Sequence, residues 1–120
     1  MEGYKDFHEL SIWKQGYNLL MIVYKIAGEF PDWEKFSLGA QVTRSSCSVI
    51  ANIAEAHGRY SFNDKVRVLY IVRGELFETR SHLSVAFGRK YINGEIFKSL
   101  NNGYVDLGRE LNKYIKSLKV

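Results

Sequence analysis

Four stretches of this sequence carry apolar residues at steps of three and four, and short connections separate them. This period places the apolar side chains on one side of an α-helix. Nothing in the chain has the alternating pattern of a strand. The spacing predicts helices over residues 7–28, 35–57, 62–88 and 94–118.

Capping and breaking signals mark the helix ends. Asp6 and Glu9 have the spacing of a capping box before the first helix, and Ser61 and Asp64 have it before the third. Pro31 ends the first helix, because proline lacks an N–H and disfavours helical geometry in the residue before it.

The helix lengths indicate the architecture. Each predicted helix is roughly 30–40 Å long at 1.5 Å per residue, and helices joined by short connections lie antiparallel to their neighbours. A chain of 120 residues suits one domain. We therefore predict an all-α protein, an antiparallel up-down-up-down four-helix bundle over residues 1–120.

The first predicted helix has more apolar surface than a bundle core requires. One apolar stripe consists of Leu10, Trp13, Tyr17, Leu20, Tyr24 and Ala27, and a second of Ile12, Leu19, Val23 and Ile26. One stripe can face the core, and exposed apolar surface of this extent usually marks an interface. We therefore expect self-association.

Three glycines lie inside predicted helices, namely Gly16, Gly74 and Gly108. Each costs about 1 kcal/mol relative to alanine. Neutral drift explains Gly16, whereas a close approach between helices is an equally good explanation for Gly74 and Gly108.

A polar stripe follows the second predicted helix where a core is expected. Steps of three, four, four and three place on one face Gln41, Arg44, Ser48, Asn52 and Glu55. The stripe is either a functional groove or a hydrogen-bonded network buried within the bundle or between subunits. We favour the network, because such networks select one arrangement of an otherwise apolar bundle.

The third predicted helix supplies ionic partners for this stripe, since a buried charge requires one. Its candidates are Arg73, Glu75, Glu78 and Arg80. We expect Arg44 to pair with Glu75 or Glu78, and Glu55 to pair with Arg73 or Arg59.

Positive charge is concentrated in the second half of the chain. Residues 1–58 contain five basic and seven acidic residues, whereas residues 59–120 contain twelve basic and six acidic residues. In the predicted bundle the start of the third helix lies beside the end of the fourth, which gathers Arg59, Lys65, Arg67, Arg109, Lys113, Lys116 and Lys119. Such a cluster suits salt-sensitive contacts with RNA or DNA phosphates; the alternative is an ordinary solvated surface.

Catalytic and metal-binding patterns are missing from the sequence. His8, His57 and His82 are scattered, and no repeated E-x-x-H motif or phosphate-binding loop is present. We expect no enzyme activity, metal or cofactor. The single cysteine, Cys47, and the lack of a long apolar run favour a cytoplasmic protein without membrane association.

Two motifs resemble the bacterial four-helix-bundle family of rRNA intervening-sequence proteins. The first runs from Phe30-Pro31 through Glu34 to Gln41 and Arg44, and the second is Ser48-Val49-Ile50-Ala51-Asn52-Ile53-Ala54-Glu55. Ala56 stands where the family usually has glycine, and Arg73 where a small residue is common.

The resemblance implies a helical bundle that assembles into a ring, typically a pentamer, for which nucleic-acid binding is the usual proposal. A related branch consists of accessory proteins of diversity-generating retroelements, which bind a reverse transcriptase and its RNA. We therefore expect a non-catalytic homo-oligomer that binds RNA or DNA. The alternatives are a reverse-transcriptase accessory protein and a purely structural protein-interaction ring.

Overall fold

A computed structural model describes residues 6–118, and these residues form helices without any strand. The 3-10 turn Phe7–Glu9 is followed by α1 (Ser11–Gly28), α2 (Asp32–Lys35), α3 (Leu38–Gly58), α4 (Phe62–Gly88) and α5 (Gly94–Leu118). The predicted all-α class is confirmed for this part of the chain. None of these helices is apolar over a length sufficient to cross a lipid bilayer.

The four long helices form an antiparallel bundle of 49 × 23 × 21 Å. Both α1 and α4 pack against α3 and α5, so α1 and α4 are diagonally opposite. The direction of α3 and α4 is evident from two contacts: Ser45 meets Thr79 near mid-bundle, and Lys65 meets Ala56 near the connection. This arrangement places α4 and α5, which come from the basic half of the sequence, side by side.

The first helix begins later than the spacing predicts. Asp6 and Glu9 do form a capping box, but it caps the 3-10 turn. Leu10 is extended, with φ −72° and ψ 128°, and separates this turn from α1. The rings of Phe7 and His8 lie 5.3 and 5.2 Å from that of Trp13, and this packing folds the turn back onto α1.

The second long helix begins later than the predicted residue 35, because this region has two parts: α2 ends at Lys35, and α3 begins at Leu38 after a break at Ser37, whose ψ is −97°. Glu34 joins the two parts, because its carboxylate accepts a hydrogen bond from the backbone N–H of Leu38 at 3.3 Å. It also accepts one from the Tyr91 hydroxyl at 2.8 Å, which lowers the pKa of Glu34. At one end of the bundle, Glu34 therefore links the segment between α1 and α3 to the segment between α4 and α5.

The core face of α1 lies between the two predicted stripes and takes residues from both. The buried positions are Ile12, Gly16, Leu20, Val23, Ile26 and Ala27. Tyr17 and Tyr24 belong to the first stripe but remain 42% and 49% exposed. Core packing therefore leaves a flank of α1 apolar and open to solvent.

Two glycines permit close helix contacts, and they differ from those predicted. A Cβ atom at Gly16 would lie 2.5 Å from Ile50 Cγ2 of α3, and one at Gly103 would lie 2.5 Å from Leu19 Cδ2 of α1. At Gly74 a Cβ would meet nothing within 4 Å, and at Gly108 it would make only ordinary contact with Leu76. Close approach therefore occurs on the two sides of α1.

We expect Gly16→Ala to lower the free energy of unfolding by about 1–2 kcal/mol, because overpacking outweighs the gain in helix propensity. Ile50 is buried and β-branched, so its side chain has little freedom to move aside. Urea denaturation measures the difference. The matched control, Gly74→Ala, should raise stability by up to about 1 kcal/mol. Equal effects at the two positions would contradict the close contact at Gly16.

Candidate functional site

The predicted basic cluster lies where the start of α4 adjoins the end of α5. Arg59 and Lys65 are partly buried there, and the more exposed side chains are Arg67, Arg109, Lys113 and Lys116. Lys119 lies outside the described residues. The antiparallel packing of α4 and α5 places the start of α4 beside the end of α5, while Arg109 lies beside Arg73 farther along α4.

Most of these cations have a carboxylate partner three or four residues away along the chain. The pairs are Arg59–Glu55, Arg67–Asp64 at 3.8 Å, Arg109–Asp106 at 2.8 Å and Lys113–Glu110 at 3.2 Å. Exposed ion pairs of this kind contribute only about 0–1 kcal/mol. A phosphate that offers a second anionic partner competes with them at little cost.

Lys65 differs from the rest of the cluster, because its ammonium group serves α3. Its Nζ donates hydrogen bonds to the carbonyl oxygens of Ala56 at 3.3 Å and His57 at 2.8 Å. These carbonyls belong to the last turn of α3, where helical partners run out, and that of Ala56 also accepts a hydrogen bond from the backbone N–H of Arg59. Burial lowers the pKa of Lys65. Lys65 therefore has a structural role in addition to any contact with an anion.

The polar stripe of α3 lies at the surface of a single bundle. Gln41, Arg44 and Glu55 are exposed, and Ser48 and Asn52 are half-buried. The expected burial within the bundle is wrong, because the neighbouring face of α3 packs against the core. Burial of the stripe between subunits stays a prediction.

Arg44 links α3 to α4 at this surface. Its guanidinium pairs with Glu78 and lies 3.6 Å from the Glu75 carboxylate. The His82 ring nitrogen lies 3.2 Å from the same Glu78 carboxylate. The network therefore joins one cation of α3 to three side chains spaced along α4.

A buried polar contact lies beneath this network. Ser45 and Thr79 are fully buried, and their hydroxyl oxygens are 2.8 Å apart and hydrogen-bonded. The Thr79 hydroxyl also lies 2.9 Å from the Glu75 carbonyl oxygen. The sequence analysis missed this pair. The available signal was that Ser45 occupies the helical position between the apolar residues Val42 and Val49.

Arg73 lies away from the stripe to which it was assigned. It lines a concave groove of about 150 Å³ between α4 and α5, together with Phe77, Arg80, Gly108, Arg109 and Asn112. Glu55 of α3 pairs with Arg59 instead. Of the two partners expected for Glu55, Arg59 is confirmed and Arg73 is not, because Arg73 lies on the side of α4 that faces α5.

Arg80 also belongs to this groove rather than to the α3–α4 network. Its Nε donates a hydrogen bond to the Asn101 side-chain oxygen at 2.9 Å. Its guanidinium carbon lies 5.3 Å from the centre of the Phe77 ring, within cation–π range. The two contacts hold the guanidinium against the aromatic ring.

Tyr104 lies behind the groove and is fully buried. Burial raises the pKa of its hydroxyl, which lies toward Ser46 without a well-formed hydrogen bond. A phenol of this kind stays protonated at neutral pH, so Tyr104 is a packing residue with a buried hydroxyl.

Side chains suited to metal binding do not converge in residues 6–118. No three His, Cys, Asp or Glu side chains form a group there. The His82–Glu78 pair is already part of the Arg44 network, and Cys47 is a free, exposed thiol. The groups brought together by the fold are mainly guanidinium, carboxylate and aromatic groups, which suit recognition.

Comparisons with known proteins agree with this architecture. A family model described as 23S rRNA-intervening sequence protein matches residues 8–113. The chain is also similar to a Bacteroides thetaiotaomicron protein with unknown function from the S23 ribosomal protein family, for which a crystal structure has been determined. That similarity has a TM-score of 0.79 and 27% identity, and it covers 88% of this chain and 98% of the other. No curated protein matches this sequence.

We expect Thr79→Val to lower the free energy of unfolding by about 1–3 kcal/mol, because it leaves the Ser45 hydroxyl without its partner across the helix pair. The double variant Ser45→Ala/Thr79→Val should be less destabilised than the sum of the single variants, since both polar groups are then removed. Urea denaturation of all four proteins measures the coupling.

Ser84→Ala is the control for this cycle, because Ser84 is an exposed hydroxyl of the same helix that bonds only to its own α4 backbone. Its effect should stay within about 0.5 kcal/mol. Additive losses for Ser45 and Thr79 would show that the buried contact does not couple α3 to α4.

Proposed function

This chain belongs to the 23S rRNA-intervening sequence protein family, and from that premise we propose that it is a non-catalytic homo-oligomer that binds RNA or DNA. The nucleic acid contacts the basic side of the bundle formed by α4 and α5. The oligomer is a ring, and a pentamer is the expected size. Several copies of one weak basic surface then act together and raise the apparent affinity.

The observation that carries the nucleic-acid proposal is the separation of charge between the two halves of the fold. Residues 59–120, the part of the sequence that includes α4 and α5, contain twelve basic and six acidic residues, whereas residues 1–58 carry more acidic than basic residues. A surface of one sign attracts a polyanion and orients it before contact. Phosphates bound here release counterions, so the binding is salt-dependent.

The local ion pairs on α4 and α5 are compatible with this proposal. Each joins exposed side chains on the same helix, and such pairs are weak in water. Lys116 is exposed and has no carboxylate partner among residues 6–118. Phosphate groups therefore add partners to the arginines and lysines instead of breaking a buried network.

The apolar flank of α1 supports self-association. Tyr17, Met21 and Tyr24 are 42%, 42% and 49% exposed. Tyr24 also borders a shallow hollow of about 460 Å³, whose α3 side is formed by Arg44 and five small residues, Ala40, Thr43, Cys47, Ser48 and Ala51. The large side chains of α1 project from this surface, and the mainly small side chains of α3 leave a recess beside them. A second copy of the chain fits this surface, since it carries the same complementary features.

An RNA-bound protein such as a reverse transcriptase is a further partner for a basic ring. A purely structural ring is the remaining alternative, and it predicts assembly without affinity for any polyanion. Binding measurements on the assembled protein separate these cases.

We expect the double variant Met21→Glu/Tyr24→Glu to dissociate the oligomer into subunits of 13.9 kDa, because it introduces repelling, strongly hydrated charges into an apolar contact. Native mass spectrometry and sedimentation velocity measure the assembly. Val85→Glu is the control: it adds a charge at an apolar side chain that is 48% exposed on α4, and assembly should persist. A monomeric wild-type protein would contradict self-association.

We expect the wild-type protein to shift RNA or duplex DNA in a gel at about 50 mM salt and to bind much more weakly at about 200 mM. Lys113→Ala/Lys116→Ala should weaken binding and reduce the salt dependence, because it removes two phosphate contacts. Lys14→Ala/Lys25→Ala removes the same charge from α1 and should have little effect. The absence of any shift at low salt would overturn the proposal.

A further inference from the structure

Arg73, Phe77 and Arg80 of α4 line the α4–α5 groove, and Tyr70 precedes them on the same helix. Tyr70, Arg73, Phe77 and Arg80 follow one another at steps of three, four and three, which keeps them on one helix face. Tyr70 and Phe77 are seven residues apart, or about 10 Å at 1.5 Å per residue. The two rings are therefore separate platforms with a guanidinium between them.

Both side chains are about half exposed. Tyr70 is 49% exposed and Phe77 is 52% exposed. Phe77 is also accompanied by the Arg80 guanidinium, which Asn101 holds in position. Aromatic rings and guanidinium planes are the groups on which proteins stack unpaired nucleobases.

The groove carries more positive than negative charge. Of its arginines, Arg109 has a carboxylate partner, Asp106, at 2.8 Å, whereas Arg73 has no ion-pair partner among the described residues. The acidic residues Glu75 and Glu78 of the same helix pair with Arg44 on the α3 side. These two carboxylates therefore lie on the α3 side of α4 and do not neutralise the arginines of the groove.

We infer that the α4–α5 groove binds single-stranded nucleic acid, with bases stacked on Tyr70 and Phe77 and backbone phosphates held by Arg73 and Arg109. The inference rests on the proposed function and adds to it the strandedness of the ligand and the residues that recognise it. Gly108 keeps the groove open, because it contributes no side chain to the wall facing Leu76. A duplex satisfies the site less well, since its bases are stacked within the helix and leave no face for the rings.

The test is fluorescence anisotropy with labelled oligouridylate and oligothymidylate of about 12 nucleotides, a length within the usual range of single-strand sites. A duplex of equal length is the comparison ligand. The wild-type protein should prefer both single strands to the duplex. Phe77→Ala should weaken single-strand binding about 5- to 100-fold, as expected for one stacked base, and should leave the salt dependence unchanged.

Arg73→Ala/Arg109→Ala should act differently from Phe77→Ala. If both arginines contact phosphates, the slope of log K against log salt for a single strand falls by about 1.4. Lys14→Ala/Lys25→Ala removes the same charge from the diagonal helix α1 and should preserve the slope. Phe36→Ala, at a ring that is 93% exposed outside the groove, is the control for loss of an aromatic side chain.

The three substituted groove side chains, Arg73, Phe77 and Arg109, are exposed, so each variant should retain the fold, and thermal unfolding checks this. Equal affinity for single strand and duplex, or wild-type binding by Phe77→Ala, would overturn the groove inference while leaving the proposed function intact. A wild-type protein that binds no polyanion would overturn both.

Discussion

The contact between α3 and α4 determines how the rest of the bundle is arranged. It includes a hydrogen bond between two fully buried hydroxyl groups, those of Ser45 and Thr79. Shifting one helix along the other would separate these groups and leave them buried without each other. Above them, Arg44 joins Glu75 and Glu78 at the surface. The Ser45–Thr79 hydrogen bond and the Arg44 ion pairs therefore specify the register of α3 against α4. Apolar packing alone would specify this register less strictly.

That register has consequences for the opposite side of α4. Glu75 and Glu78 turn toward Arg44, so these two acidic side chains of α4 lie on its α3 side. Arg73 and Arg80 then face α5 and border a groove with Phe77 and Arg109. The same helix thus neutralises charge on one side and concentrates positive charge on the other. A structural network and a candidate recognition surface are two results of one helix orientation.

Much of the local structure was predictable, because caps, breaks and apolar periods act over a few residues. The Ser61 side chain accepts a hydrogen bond from the backbone N–H of Asp64, as its spacing suggested. The positions of close contact were not predictable in this way. Gly16 and Gly103 lie against Ile50 and Leu19 on other helices, and a sequence does not state which glycine meets which partner.

By itself, the sequence determined the helical class, the connections between the four long helices and the charge difference between the two halves, since these follow from residue types and their spacing. Only the tertiary structure decided which polar residues are buried. Ser45 is enclosed, whereas Arg44 beside it remains about half exposed. A rotation of α3 by a fraction of a turn exchanges such neighbours, and that rotation is set by packing against three other helices at once.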